Sequence, residues 1–265
     1  MTSSHKGTAL ITGASTGIGA IYAERLARRG HDLILVARNR QRLDALARRL
    51  TDETGRSIQV FAADLNDPAE LASVENLLRE DRSISVLVNN AGFGAATPLL
   101  ASDVARMTEM ISLNVGALTR LTYAAVPGLV ERGGGTVINV ASIVAVAPEL
   151  LNGVYGATKA YVLAFTQSLQ HELAGNGLRV QAVLPGAIAT EFWDVAGHPV
   201  DQLPSAMVMS ATDLVDAALA GLDQGETFTV PSLPDAADWT AYEAARQALL
   251  PNLSRNKPAA RYDLA

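Results

Sequence analysis

Tyr155 and Lys159 stand four residues apart at the start of a helical pattern, so both side chains project from one helix face. A Lys ammonium within a few ångströms favours the tyrosinate and lowers the Tyr pKa from its ordinary value of about 10. A tyrosine tuned in this way can pass a proton to or from an alcohol or carbonyl oxygen. The chain holds 18 Arg but only three Lys, and Lys6 and Lys257 lie near its ends. The single internal Lys is therefore the one beside Tyr155, and Arg would not serve, because it does not readily give up a proton. The plain alternative is a surface helix pair. Two further residues argue for chemistry. Ser142 ends a predicted strand, where its hydroxyl could hydrogen-bond a substrate oxygen. Asn114 lies in an apolar helical stretch, 111–115, where an amide is costly unless paired. It is either a satisfied core amide or the holder of a water in a proton relay with Lys159.

A second constellation sits near the start. The run Thr12, Gly13, Ala14, Ser15, Thr16, Gly17, Ile18, Gly19 links a predicted strand directly to a predicted helix. Gly13 permits a tight turn, Gly17 admits a phosphate close to the backbone, and Gly19 lets the helix pack on the strand. Free N–H groups and the helix dipole then face a pyrophosphate. The spacing is G-x-x-x-G-x-G rather than G-x-G-x-x-G. After the second strand stands Arg38, and the first carboxylate comes only at Asp44. An acidic residue there would bind a ribose 2′-hydroxyl. The planar guanidinium of Arg38 suits a 2′-phosphate instead, so NADP(H) is favoured over NAD(H). The alternative is a solvated loop charge. Asp64 and Leu65 follow the third strand, where the carboxylate could accept from an adenine amino group. Asn89, Asn90, Ala91 and Gly92 follow the fourth. The small residues admit a ribose, and the amides can tie strands together.

These groups need a scaffold. Short apolar runs at 9–12, 33–37, 58–62, 86–89, 136–141, 180–184 and 227–230 read as strands buried on both faces. Helix-length segments lie between them, at 18–29, 40–54, 69–81, 104–132, 154–174 and 211–223. Gly30 and Gly175 fall where helix-ending glycines belong. Strand–helix alternation predicts an α/β, doubly wound, Rossmann-like three-layer αβα fold with a parallel sheet of about seven strands. One domain is expected over 1–265. Within it, 187–210 forms a substrate lid rich in aromatic and Met residues, and 231–265 a C-terminal extension. Phe93 and 143–151 are expected to help line the pocket.

Composition excludes much else. The 265 residues include no Cys, so disulfides, thiolate metal sites and a Cys nucleophile are excluded. His5, His31, His171 and His198 are scattered, and no metal site is expected. A net charge of −6 argues against nucleic acid as partner. No apolar run reaches the roughly 20 residues of a membrane span, and none near the start suits a secretory leader. The expected compartment is the cytoplasm, and the expected partner a small molecule.

The pieces Thr12–Gly19, Asp64, Asn89–Gly92, Asn114, Ser142, Tyr155-x-x-x-Lys159 and Pro185-Gly186-x-x-x-Thr190 stand in an order that resembles the short-chain dehydrogenase/reductases, in their NADP-preferring branch. The resemblance covers roughly 8–190. It implies an Asn–Ser–Tyr–Lys tetrad. Tyr155 would be the general acid/base and Ser142 would orient the substrate oxygen. Lys159 would lower the Tyr pKa and bind the nicotinamide ribose, and Asn114 would support the relay. Pro185, Gly186, Ile188 and Thr190 would flank the nicotinamide. Thr16 stands where many NADP-preferring members carry a basic residue, which leaves Arg38 as the selector, helped by Arg40 or Arg42. The implied reaction interconverts a carbonyl and an alcohol on a hydrophobic small molecule. A non-catalytic NADP(H)-binding sensor or scaffold is the alternative, and an epimerase or dehydratase a third reading. The helices 104–132 and 154–174 resemble the pair through which the family forms homodimers and homotetramers.

Overall fold

The structure is a computed structural model that describes residues 6–262; His5 lies outside them. The chain divides into two compact units, Met1–Pro231 and Ser232–Ala265.

The first unit is built on seven parallel strands. They are β1 (Thr8–Thr12), β2 (Asp32–Ala37), β3 (Ile58–Ala62), β4 (Ile84–Asn89), β5 (Gly135–Val140), β6 (Leu178–Val183) and, after two short strands described below, β9 (Phe228–Thr229). Their order is β3-β2-β1-β4-β5-β6-β9. Alternate strand residues feed two cores. Ala9, Ile11, Leu33, Leu35, Val86, Val88 and Ile138 face one side. Leu10, Ile34, Val36, Leu87 and Val137 face the other. This is the period of two expected of a strand buried on both faces. The first core is closed by α1 (Gly17–Arg28), α2 (Arg40–Thr54) and α8 (Ala211–Gln224). The second is closed by α3 (Pro68–Glu80), α5 (Leu118–Glu131) and α6 (Gly153–Glu172). Strand order reverses between β1 and β4, and the crevice outside that point is where doubly wound sheets take ligands.

Local signals set the helix ends. Asn39 caps α2 by accepting from the Arg42 N–H at 3.0 Å. Asp67 caps α3 through the N–H groups of Ala69 and Glu70, with Pro68 in the first turn. The expected helix 104–132 is not continuous. It is α4 (Val104–Ile111), a π-helical segment Ser112–Ala117, then α5. The widened turn carries Asn114 inward, where its side chain bonds another segment, and such bulges recur at functional sites. The lid region is also more ordered than expected. It contains β7 (Ala187–Ala189), α7 (Phe192–Ala196) and β8 (Val208–Ser210), and β7 pairs with β8 in parallel.

The second unit holds α9 (Ala236–Ala248), capped by Asp235, with Trp239 and Tyr242 rings 5.1 Å apart.

Candidate active site

The carboxyl ends of β1, β4, β5 and β6 bring the predicted residues to one edge. The glycine turn is held from both sides. Gly13 and Gly17 have φ of 65° and 55°, the left-handed region that glycine tolerates. A Cβ on Gly19 would lie 2.3 Å from the Gly13 carbonyl oxygen. Thr12 Oγ1 accepts from the N–H groups of Asn90 and Ala91, both at 3.0 Å. The Asn90 amide donates to the Thr12 and Gly13 carbonyls. Asn90 therefore buttresses the turn with its side chain. Asn89 is buried and donates to Thr122 and Asn139, a structural tie between β4, α5 and β5.

The turn fits a pyrophosphate. Thr16 contributes no side-chain cap to α1, so the amides of its first turn are left to an anion. Ser15, Thr16 and Ile18 line the turn half-buried. Arg38 is exposed just past β2, and among the described residues its guanidinium makes no ion pair. Asp64 is half-buried, with one carboxylate oxygen accepting from the Asn66 N–H, and Leu65 is buried. A Cβ on Gly17 would touch the Thr190 methyl at 3.2 Å. Pro185 and Ile188 are buried, and Gly186 and Thr190 half-buried, on the segment beyond β6.

The residues expected to transfer a proton gather beside this row. Tyr155 and Lys159 are 6% and 7% exposed, and Ser142 is 7% exposed. Lys159 Nζ donates to the Val140 carbonyl at 2.8 Å, and lies 5.9 Å from the centroid of the Tyr155 ring. Ser142 Oγ donates to the Pro185 carbonyl and accepts from the Val144 N–H, both at 3.3 Å. A Cβ on Gly92 would lie 2.8 Å from Asn114 Oδ1 and 3.8 Å from Lys159 Nζ, so Asn114, Gly92 and Lys159 are neighbours.

Burial governs the pair. It pushes the Tyr155 hydroxyl up to about 12, with Ser142 opposing, and pushes Lys159 down to about 8, because desolvation disfavours both charged forms. The Lys159 ammonium donates to a backbone carbonyl. Asn114 is a satisfied core amide, one of the two roles its position allowed. Its Oδ1 accepts from the Phe93 N–H, and its Nδ2 donates to the Phe93 carbonyl and Thr158 Oγ1. It anchors the loop after β4.

The segment 187–210 packs against Tyr155. Phe192 packs its ring on Tyr155 at 5.6 Å and on Trp193 edge-on at 5.4 Å. Trp193 Nε1 donates to the Ile188 carbonyl, which ties α7 to β7. An apolar cluster surrounds Tyr155: Ala95, Met107, Met110 and Val144, with Phe93, Leu151, Val154 and Phe192 against it. Sequence reasoning missed Gly94, whose lack of a side chain admits the Phe192 ring; the Gly-Phe-Gly run at 92–94 was its signal. It also missed Glu191, which pairs with Arg42 at 2.7 Å. Arg42 is thus committed to a carboxylate rather than standing free beside Arg38. Among the described residues, no cluster of His, Asp or Glu suits a metal ion, and no helix is long and apolar enough to cross a membrane.

A glycine turn at the switch point, with a buried tyrosine and lysine at the same edge, is the arrangement of a doubly wound fold of the dinucleotide-binding kind. The model of the short chain dehydrogenase family matches residues 7–199. A short-chain dehydrogenase from Sphingobium yanoikuyae in complex with NADPH is 50% identical, with a TM-score of 0.93 over 96% of this chain and 98% of that one. A bulky-bulky ketone specific alcohol dehydrogenase from Comamonas testosteroni is 44% identical, with a TM-score of 0.90 over 98% and 99%. A very-long-chain 3-oxoacyl-CoA reductase from Anas platyrhynchos is 32% identical over 212 residues, 78% of this chain and 68% of that protein. The chain belongs to the short-chain dehydrogenase family. It is an oxidoreductase of alcohol and carbonyl groups that uses a nicotinamide cofactor.

Proposed function

We propose that this chain is an NADP(H)-dependent reductase of bulky, hydrophobic ketones or aldehydes, with Tyr155 as the general acid. The observation that carries this reading is a buried Tyr155 set in an apolar cluster, with Ser142 and Lys159 near it. NADP(H) is supported by Arg38, exposed past β2, and by the NADPH in the Sphingobium neighbour. A bulky substrate is supported by the apolar wall of Phe93, Met107, Met110, Val144, Leu151 and Phe192, and by the specificity of the Comamonas neighbour.

The residues fit the cofactor. Gly13–Gly19 would take its pyrophosphate, Arg38 its 2′-phosphate, and Asp64 and Leu65 its adenine. Asn90, Ala91 and Gly92 would border the ribose, and Pro185, Gly186, Ile188 and Thr190 the nicotinamide. Bound there, the nicotinamide supplies or accepts hydride at C4. The protein's own part is the proton. Ser142 turns its hydroxyl from the Pro185 carbonyl to donate to the substrate's carbonyl oxygen and orient it. Tyr155 passes its hydroxyl proton to that oxygen as negative charge develops. Lys159, held on the Val140 carbonyl, offers a proton source near neutral pH, because burial has brought it down to about 8. Asn114 positions Phe93 and the loop around Gly92.

The test is NADPH oxidation against a panel of bulky ketones, with NADH and Tyr155→Phe in parallel. Tyr155→Phe should lose about 10²–10⁴ in turnover and keep NADPH affinity within about tenfold. Undiminished turnover would remove Tyr155 from its role. A homodimer or homotetramer is supported by exposed Val104, Ile111 and Tyr123 on α4 and α5, with Tyr123 stacked on Phe165 of α6. A stable monomer in light scattering would overturn that assembly.

A further inference from the structure

Arg42 and Glu191 meet beside the phosphate turn, although 149 positions separate them in sequence. Arg42 lies in the first turn of α2, on the side of Arg38. Glu191 stands between Thr190 and Phe192, at the start of α7. Arg42 Nη1 donates to Glu191 Oε2 at 2.7 Å. The turn lies against the Glu191 side of the pair: a Cβ on Gly17 would touch Thr190, the residue before Glu191. The Glu191 carboxyl is held below the usual carboxylate range, chiefly by Arg42 and in smaller part by the Thr16 hydroxyl. The ion pair thus joins α2 to the lid past the turn, with Thr16 reaching the same carboxylate.

Two physical consequences follow. A dinucleotide lying from Arg38 to Tyr155 along the turn would pass beside this pair, which links α2 to the segment after Thr190 at that point. The Glu191 carboxylate also sits next to Thr16, where pyrophosphate oxygens would gather. Unpaired, it would repel them; beside Arg42 its charge is cancelled. We infer that Arg42 and Glu191 are positioning residues that form a strap, closing over the bound dinucleotide and slowing its release. The inference rests on the dinucleotide-binding reading above.

The experiment is stopped-flow displacement of NADPH, and separately of NADH, from the full chain. It compares wild type, Arg42→Gln, Glu191→Gln and the double variant, each first checked for an unchanged melting temperature. Both single variants should release both nucleotides about two- to fivefold faster, the range of an exposed ion pair. Arg42→Gln should be the faster of the two, because it leaves the carboxylate uncancelled. The double variant, which lacks the strap but leaves neither charge unpaired, should be faster than wild type and slower than Arg42→Gln rather than multiply the two effects, and high salt should narrow the differences. Unchanged release in both single variants, or multiplying effects in the double, overturns the strap. Faster release of NADPH alone in Arg42→Gln overturns it too, and assigns Arg42 to the 2′-phosphate. Wild type that binds neither nucleotide fails the cofactor reading instead.

Discussion

The Phe192 ring lies 5.6 Å from the Tyr155 ring, tilted by 46°, and it reaches that place because residue 94 is glycine. A Cβ on Gly94 would stand 2.4 Å from Phe192 Cζ and 3.2 Å from Tyr155 Cε2. Helix α7 therefore rests an aromatic residue against the hydroxyl-bearing ring that the proposed reaction uses. Trp193 secures the arrangement by bonding Ile188, so α7 and β7 hold together as a piece.

Phe192 is consequently a wall whose size should set substrate range. Phe192→Ala should shift kcat/KM toward larger ketones over small ones by about tenfold, in the range that pocket-size changes produce. Gly94→Ala should expel the ring and cost about 1–3 kcal/mol of stability, as overpacking does. Competition between a small and a bulky ketone, with urea melts of both variants, checks the pair. An unchanged substrate ranking in Phe192→Ala would show that the ring does not border the substrate.

The buried Lys159 predicts a pH-dependent stability. Its folded pKa of about 8 lies below the unfolded value of about 10.4. Between these values the unfolded chain binds more protons, so this term raises stability as pH climbs from about 8 to 10.4. Below about 8 the cost of the buried ammonium is felt in full. Tyr155 has the opposite sign. With a folded value of about 12, it lowers stability as pH rises from about 10 to 12. Relative to Lys159→Met, wild type should gain about 3 kcal/mol in urea unfolding between pH 7 and pH 10. A pH-independent difference would mean that Lys159 is not held at about 8.

Arg38 should choose between the two nicotinamide nucleotides. Arg38→Asp replaces a donor fork for a 2′-phosphate with an acceptor for a 2′-hydroxyl. The NADPH-to-NADH ratio of kcat/KM should fall by at least about tenfold, the loss of one charge-assisted hydrogen bond of 1.5–3 kcal/mol. Steady-state kinetics with both nucleotides checks this, and an unmoved ratio would assign selection to another residue.

Much of the scaffold was legible because it depends on local pattern. Short apolar runs bounded by turns favour buried strands, and each of the seven expected strands is present within a few residues, although β3, at the sheet edge, is half-buried rather than buried on both faces. The glycine turn was equally readable, since φ near +60° and contact with a carbonyl oxygen exclude other residues at Gly13 and Gly19. The single internal lysine pointed to residue 159. The break of the long helix at Ser112–Ala117 was not legible. Its cause is a set of bonds from Asn114 to Phe93 and Thr158, which are remote in sequence.

By itself, the sequence determined the order of elements, the glycine turn after β1 and the residue types at the site, because these follow from periodicity and steric permission. Tertiary structure decided the rest. It set the charge preferences of Tyr155 and Lys159, since desolvation depends on everything packed around them. It also placed Phe192 over Gly94 and paired Arg42 with Glu191, contacts between segments that only the closed fold brings within reach.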